Sequence, residues 1–245
     1  MRILRIHTGQ ALQAGARIEL EEAPSRHLLK VLRRKEGDEV KLFNGDGYDW
    51  SGRIAEADGR HRCVVEVGGP TANSTESTLE VHLVQALCRG EKMDWCVQKS
   101  VELGVRRIWP VQMARSEVRL GGERARKRQG HWQKVAIAAC EQSGRATVPE
   151  IGLPEPLEAV VGQLPGNALR IRLDTGGGPG LGRFAPVRVP VVIVTGPEGG
   201  LDERDLGILD AAGFQPASLG PRILRSETAG PASLAIMQAL HGDMA

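Results

Sequence analysis

The stretch Leu219-Gly-Pro-Arg-Ile-Leu-Arg-Ser-Glu-Thr-Ala229 lies just before an apolar segment that predicts a helix over Ala232–Leu240. It combines a Gly-Pro turn, two arginines and a Ser/Glu/Thr cluster. Upstream, Thr195-Gly-Pro-Glu-Gly-Gly200 directly follows the strand-like run Val189–Val194. Glycine lets the main chain approach a ligand closely, and strand-to-helix turns expose N–H donors. Two such turns therefore predict a ligand-binding edge of a sheet.

The segments around these turns alternate between strand and helix patterns. Strands are predicted at 79–87, 105–113, 169–174, 189–195 and 216–219, and helices at 91–104, 122–143 and, with an aspartate cap, 202–212. This order is typical of a mostly parallel sheet with helices on both faces. The sequence therefore predicts an α/β domain over residues 79–245.

Residues 1–70 are predicted to form a separate, β-rich domain. Glu39–Phe43 alternates as a half-buried strand should, Asn44-Gly-Asp-Gly47 is a turn, and strands are expected at 48–54 and 63–67. A helix is predicted over 25–34. Short strands joined by tight turns are typical of a small barrel. The polar run 68–77 predicts a linker, which we place at 71–78.

Composition places the chain among globular proteins. It has 245 residues, of which 41% are hydrophobic and 25% charged, with no apolar run approaching the ~20 residues that cross a bilayer. The N-terminus has no signal-peptide pattern, so a cytoplasmic protein is expected. The four cysteines have no paired spacing and are expected to be free thiols. The six histidines show no ligand spacing, so no metal site is expected.

Basic charge is concentrated in two segments. Residues 1–35 carry 8 Lys/Arg and 3 Asp/Glu, and residues 88–134 carry 12 and 5, although the net charge of the chain is only +2. Segregated basic charge favours a polyanion such as RNA, whereas a solvated helix face is the alternative. The candidate RNA-binding residues are Arg26, Lys30, Arg33, Arg34, Lys92, Lys99, Arg124, Arg126, Lys127 and Arg128.

The glycine-rich turn at 196–200 is either a simple turn or a ligand cradle. It has neither the Gly-Lys-Ser/Thr of a nucleotide triphosphatase nor the glycine spacing of a dinucleotide-binding loop. Its glutamate would repel phosphate. A ligand with a positive or neutral polar part therefore fits better than a nucleoside triphosphate.

Two further segments contain arginines, and each of them has two interpretations. Ser226 or Thr228 could cap the last helix, but the two neighbouring arginines exceed what a cap needs and could stabilise developing charge. Glu141-Gln-Ser-Gly-Arg145 is either the end of a long helix or a loop that brings Arg145 to a site. No nucleophile elbow or Cys/His pair indicates a hydrolase.

Taken together, and in order along nearly the whole chain, these motifs resemble the RsmE family of small-subunit (16S) ribosomal RNA uridine N3-methyltransferases, in the SPOUT superfamily. The matching positions are His27-Leu-x-x-Val-Leu-Arg33 with Gly37-Asp38, Lys92-Met-Asp94, Gln98-Lys-x-x-Glu-Leu-Gly104, Arg115-Ser-Glu117, Glu141–Arg145, Gly196–Gly200 and Leu219-Gly-x-Arg-Ile-Leu-Arg-x-Glu-Thr-Ala229. Ser226 stands where the family more usually has threonine, which keeps the hydroxyl.

The resemblance implies a PUA-like barrel that helps to bind RNA and an α/β domain with a deep trefoil knot at about residues 190–235. It also implies S-adenosylmethionine as cofactor, a homodimer, and N3-methyluridine as the product. Carried over by position, the cofactor-binding residues are Leu173, Asp174, Thr195, Gly196, Pro197, Glu198, Gly199, Gly200, Leu219, Gly220, Ile223, Leu224, Arg225, Ser226, Thr228 and Ala229.

The implied reaction assigns roles to charged residues. Uracil N3 is a poor nucleophile until its proton leaves, and negative charge then spreads to O2 and O4. Arg225, with Arg115 or Arg145 from either subunit, is the candidate for stabilising that charge. Glu198 and Glu227 are the candidate proton acceptors.

Two other functions stay open at this level. One is an RNA-binding ribosome-assembly factor without catalysis, against which the intact glycine loops argue. The other is a SPOUT methyltransferase that acts on a ribose 2′-hydroxyl or on another base.

Overall fold

The computed structural model describes residues 3–59, 61–184 and 187–244. The chain divides into two compact units, of which the first comprises residues 1–76 and 140–148 and the second residues 77–139 and 149–245. The first piece ends at Glu76, and the linker was predicted at 71–78. No sequence pattern had indicated that 140–148 belongs with the N-terminal residues.

A five-stranded sheet forms the first unit. Its strands are β1 (Leu4–His7), β2 (Arg17–Glu19), β3 (Glu39–Phe43), β4 (Tyr48–Asp58) and β5 (Arg62–Ala72). The order across the sheet is β1-β3-β4-β5-β2. β1 and β3 are parallel, whereas the other pairs are antiparallel. Inward-facing side chains of these strands and Leu28 build the core, including Ile6, Val40, Leu42, Ile54 and Val65.

Two predictions in this unit need correction. β5 continues to Ala72 and pairs Thr71 with Asp49, so residues 68–72 of the predicted linker are part of the sheet. The 11-residue β4 offers them backbone partners, which overrides their turn-like composition. The helix predicted over 25–34 is instead α1 (Glu22–Arg26), continued by one π-helical turn, His27–Val31. Arg33 then adopts a positive φ of 52°, which is incompatible with continuing a helix.

The second unit contains the predicted parallel sheet. Its strands are β6 (Val81–Ala86), β7 (Arg107–Gln112), β8 (Glu150–Ile151), β9 (Glu155–Pro156), β10 (Leu169–Leu173), β11 (Val191–Thr195) and β12 (Gln215–Ala217). The order is β12-β10-β11-β6-β7-β8, and β9 pairs with β7. Every pair in this sheet among the described residues is parallel. All five residues of β11 are buried, as expected for a strand covered on both faces.

The helices of this part of the chain follow the predicted order. They are α2 (Glu91–Glu102), α3 (Gly122–Ser143), α4 (Leu157–Val161), α5 (Glu203–Ala211) and α6 (Ser226–His241), with a short 3-10 turn at Leu181–Arg183. The aspartate cap of α5 is confirmed, because the Asp202 side chain accepts from the Asp205 N–H. The closing helix begins at Ser226 rather than at the predicted Ala232 and contains Pro231 in its interior. None of the helices in the described ranges is long and apolar enough to cross a bilayer.

The ion pair of the buried Arg145 with the partly buried Glu76 holds the segment 140–148 within the first unit. The Arg145 guanidinium donates through Nε and Nη2 to Oε2 of Glu76, at 3.1 and 2.8 Å. The Thr147 N–H donates to the other oxygen of Glu76 at 3.0 Å. Arg145 is only 4% exposed, so its charge depends on this partner.

Arg145→Ala should therefore destabilise the protein. We expect the free energy of unfolding to fall by about 2–4 kcal/mol, because Glu76 loses a buried charge partner and a cavity remains. Urea denaturation followed by circular dichroism measures this change. Arg53→Ala is the matched control, since the Arg53–Glu39 pair is exposed and 3.8 Å long, and it should cost less than about 1 kcal/mol. Equal effects of the two substitutions would contradict this structural role.

Candidate active site

The carboxyl ends of four neighbouring parallel strands meet at one edge of the second sheet. β12, β10, β11 and β6 are adjacent in that order. The chain leaves them at Ala217, Leu173, Thr195 and Ala86, respectively. The predicted loops at 173–174, 195–200 and 219–229 therefore lie side by side. This edge is where parallel α/β sheets bind ligands.

A hydrogen bond joins two of these loops. The Ser226 hydroxyl, at the start of α6, donates to the backbone carbonyl of Gly196 at 2.7 Å. The residue that flanks the helix start is Arg225, and its side chain makes no capping hydrogen bond. The predicted capping role of Ser226 or Thr228 is therefore wrong, because Ser226 uses its hydroxyl between the loops.

Gln85, on β6, supports the hydrogen bond between Ser226 and Gly196. Its amide Nε2 donates to the Ser226 hydroxyl at 3.0 Å and to the Ala86 carbonyl at 3.1 Å. Its Oε1 accepts from the Cys96 thiol at 3.3 Å, and the residue is completely buried. A buried amide must be hydrogen-bonded at both ends, and this one is. Sequence reasoning missed Gln85, although a polar residue near the end of an apolar strand was a usable signal.

A charged group lies beside this neutral link. The Lys92 ammonium, on α2, is 3.5 Å from Oε1 of Glu198 and 3.6 Å from Oε1 of Glu227. Lys92 was predicted to face RNA, but its side chain is directed at the two glycine-rich loops. The Glu198 side chain is 28% exposed and that of Glu227 only 12%. Oε2 of Glu227 is buried and has no hydrogen-bond partner among the described residues.

Cys88 completes this charged group. Its sulfur lies within 4.8 Å of carboxylate oxygens of both Glu198 and Glu227. Burial raises the pKa of the Cys88 thiol to about 11. A thiol that is neutral at physiological pH is a poor nucleophile and a poor metal ligand. The Lys92 ammonium lies close to both carboxylates and is therefore the counter-ion of Glu198 and Glu227.

The three candidate arginines lie in different places. Arg115 donates from Nη1 to the Gly199 carbonyl at 3.0 Å, so it contacts the 195–200 loop. Arg225 is exposed at the start of α6, and no described residue forms a hydrogen bond or ion pair with its guanidinium. Arg145 belongs to the first unit and pairs with Glu76 there. Within the second unit, Arg115 contacts the 195–200 loop, and Arg225 directly precedes Ser226, which is hydrogen-bonded to the same loop.

The remaining loop residues form tight turns at the same edge. Asp174 accepts from the Gly176 N–H and from Arg172, both at 2.8 Å. Gly220 has a φ of 93°, which favours glycine. Close packing also explains Gly199, because a Cβ there would stand 3.1 Å from Cβ of Arg115. The tip of the last loop exposes Ile223 to 82%.

The basic residues predicted to bind RNA are mostly exposed. In the first unit, Arg34 is half-buried and lies 3.8 Å from Asp38. Lys99 differs as well, because it forms a 2.8 Å ion pair with Glu102. The exposed members are Arg26, Lys30, Arg33, Arg124, Arg126, Lys127 and Arg128.

Comparison with known proteins identifies the family. A model of the RNA methyltransferase domain matches residues 75–238, and one of the RNA methyltransferase PUA domain matches residues 20–68. Ribosomal RNA small subunit methyltransferase E of Buchnera aphidicola subsp. Schizaphis graminum is 31% identical over 99% of this chain and 98% of its own length. The chain belongs to the RsmE family.

Other RsmE proteins agree with this assignment. The Bacillus subtilis protein is 30% identical over 86% of this chain and 88% of its own. The crystal structure of a ribosomal RNA small subunit methyltransferase E from Neisseria gonorrhoeae bound to S-adenosyl methionine is 35% identical, with a TM-score of 0.93 and complete coverage of both chains. The resemblance expected from the motifs is thereby confirmed, as is an α/β fold combined with a PUA domain.

Ser226→Ala should loosen the edge of the sheet in this RsmE protein. Without the hydroxyl, the Gly196 carbonyl and one Gln85 N–H lose their partner, so we expect the free energy of unfolding to fall by about 1–3 kcal/mol. Amide hydrogen exchange of the 197–201 segment should accelerate. Ser226→Thr keeps the hydroxyl and serves as control, since both quantities should stay near their original values. Unchanged exchange in Ser226→Ala would contradict the link.

Proposed function

We propose that this protein transfers a methyl group from S-adenosylmethionine to N3 of a specific uridine in 16S ribosomal RNA. The observation that carries the proposal is the pair of glycine-rich loops, joined at the carboxyl edge of the sheet, in a member of the RsmE family. The Neisseria gonorrhoeae relative bound S-adenosyl methionine in its crystal. A methyl transfer to RNA at this edge would use the carboxylates and arginines that surround it.

The residues present fit this cofactor better than a phosphorylated one. S-adenosylmethionine carries an ammonium and an adenine amino group, which need hydrogen-bond acceptors, and a sulfonium, whose positive charge tolerates nearby negative charge. The loops offer backbone carbonyls as acceptors, and the nearby carboxylates of Glu198 and Glu227 outweigh in charge the one ammonium between them. A substitution of Gly199 would fill the space at the loop, because Arg115 packs closely against it. We propose that the loops at 173–174, 195–200 and 219–229 hold the cofactor.

The chemistry of the step follows from these groups. When bound, the cofactor supplies an electrophilic methyl group, so the protein chiefly provides placement. Arg225 and Arg115, and Arg145 from either subunit, are the proposed groups that stabilise negative charge on uracil O2 and O4. Glu198 and Glu227 are the proposed acceptors of the N3 proton. The target base must leave its stack to reach this edge.

RNA binding is proposed for the exposed basic residues. Arg26, Lys30 and Arg33 lie on or just after the first helix, and the basic tetrad 124–128 lies in the first turns of α3. Their guanidinium and ammonium groups are free to meet phosphates without breaking an ion pair among the described residues. Arg34, Lys92 and Lys99 would each have to give up an acidic partner first.

Several finer features belong to the same proposal. The first unit would close as a PUA-like barrel, and the chain would form a trefoil knot at about 190–235. The protein would work in the cytoplasm as a homodimer and without a metal. An exposed row of apolar side chains supports a dimer. It consists of Ile236, Leu240 and Met244, which are spaced every fourth residue along α6 and just beyond its end and are 37–53% exposed.

Nucleoside mass spectrometry tests the function directly. Free 16S rRNA and assembled small subunits from a strain without this methylation are incubated with the protein and methyl-labelled S-adenosylmethionine. We expect label in N3-methyluridine. Label in another nucleoside would overturn the choice of base. The absence of any label, together with the absence of cofactor binding, would favour the non-catalytic assembly factor instead.

Arg225→Ala should reduce the rate of methylation far more than the affinity for the cofactor. Removing a group that stabilises developing charge costs on the order of 10²-fold in kcat. Single-turnover kinetics and calorimetric titration of S-adenosylmethionine separate the two effects. Arg183→Ala, an exposed arginine in the 3-10 turn outside the proposed site, is the control and should change kcat little. Equal losses of kcat and of cofactor affinity in Arg225→Ala would contradict this role.

A further inference from the structure

The two carboxylates beside the joined loops are not equivalent. Glu198 lies on the 195–200 loop with a side chain that is 28% exposed, whereas the Glu227 side chain in the first turn of α6 is 12% exposed. Oε2 of Glu227 is shielded from solvent, and no described residue donates a hydrogen bond to it. A buried carboxylate oxygen without a donor is costly, so it indicates a partner that arrives with a ligand.

Lys92 sets a positive charge beside Glu227. Its ammonium stands 3.6 Å from Oε1 of Glu227 and 3.5 Å from Oε1 of Glu198. The ammonium therefore attracts Oε1 of Glu227, not Oε2, and it offsets the repulsion between the two carboxylates. The link between Ser226 and Gly196 fixes the adjoining backbone, because Glu227 directly follows Ser226 in α6. Oε2 is thus the atom left available.

The other titratable groups around Glu227 do not compete for this task. Cys88 lies within 4.8 Å, but its thiol is buried and neutral and already carries a proton. Lys92 is a donor and cannot accept. Glu198 can accept, but water reaches its side chain, which provides a competing donor for its oxygens.

From this geometry we infer that Glu227 is the catalytic residue that accepts the uridine N3 proton, and that Lys92 is its positioning residue. The inference rests on the proposed function and chooses between the two candidate acceptors. In the step, the N3–H bond breaks and the proton goes to Oε2 of Glu227. The electron pair left on N3 forms the bond to the methyl carbon. The carbon–sulfur bond breaks, and its electron pair stays on sulfur as a neutral thioether.

Glu227→Gln tests the acceptor, with Glu198→Gln as the matched control. Loss of a general base lowers rates by about 10²–10⁴-fold, so we expect kcat of Glu227→Gln to fall by about 10²-fold or more. The dissociation constant for S-adenosylmethionine should stay within about 3-fold of the original value, as for a group that acts in the transition state. Glu198→Gln should lose less than about 10-fold in kcat.

The pH dependence provides a readout that a purely structural role would not move. In Glu227→Gln the N3 proton must leave to hydroxide in solution, so the residual rate should rise in proportion to hydroxide concentration. If Glu227→Gln fails to fold, Glu227→Asp retains a carboxylate but moves it, and it should lower kcat at unchanged cofactor affinity. Circular dichroism checks the fold of each variant.

Lys92→Met and Lys92→Arg test the positioning residue. Lys92→Met should lower kcat by about 10-fold without weakening RNA binding, and Lys92→Arg should restore most of the rate. Lys41→Met, which removes a lysine paired with Asp49 at 3.7 Å in the first unit, is the control and should leave kcat unchanged. If Lys92→Met instead reduces RNA affinity and its salt dependence at constant kcat, Lys92 is a phosphate contact and its assigned role is wrong.

The results separate this inference from the proposed function. Wild-type protein that forms no N3-methyluridine would contradict the function itself. Wild-type protein that methylates, with Glu227→Gln at full rate, would overturn the inference alone. A large loss of cofactor affinity in Glu227→Gln at unchanged kcat would also overturn it, because Oε2 would then be a cofactor contact.

Discussion

The hydrogen bond from the Ser226 hydroxyl to the Gly196 carbonyl is the contact on which the candidate site depends. It joins two loops that are far apart in sequence but leave neighbouring regions of one parallel sheet. Gln85 makes the bond possible, since its buried amide donates to the same hydroxyl from β6. Each loop alone is a glycine-rich turn. Joined over a buried amide, they form a fixed edge against which a ligand can be placed.

A charged group and a neutral group cooperate at this edge. The neutral group of Gln85, Ser226 and Gly196 sets the backbone. The charged group of Lys92, Glu198 and Glu227 places one ammonium against two carboxylates. An isolated pair of carboxylates this close would repel each other, and an isolated ammonium would bind a phosphate. Their combination leaves an excess of one negative charge, which suits a sulfonium cofactor and a reaction that removes a proton.

The general architecture could be predicted because it follows from the local preferences of short segments of the sequence. The apolar run of β11, the aspartate before α5 and the Asn-Gly-Asp-Gly turn after β3 each have one strongly favoured structure. The corrections concern places where tertiary contacts override local preference. Residues 68–72 have a linker composition but pair with β4. Helix α6 starts six residues before the predicted Ala232, where the Ser226 hydroxyl is tied to Gly196.

The loops of the candidate site could be predicted from the sequence, but the side-chain contacts between them could not. The glycine turns pointed to the segments that form the candidate site, and the family motif pointed to its candidate arginines. Nothing in a linear pattern could show that Gln85 lies under Ser226 or that Lys92 is directed at Glu227, because these residues are 141 and 135 positions apart. The pairing of Arg145 with Glu76 is a further case, since these two residues are 69 positions apart.

A crystal structure with S-adenosylhomocysteine bound is the most direct measurement of the central claim. The account predicts the ligand at the carboxyl edge of the second sheet, with its polar atoms hydrogen-bonded to backbone groups of 195–200 and 219–229 and with the Ser226–Gly196 bond intact. A ligand located elsewhere, or one that contacts neither loop, would contradict it.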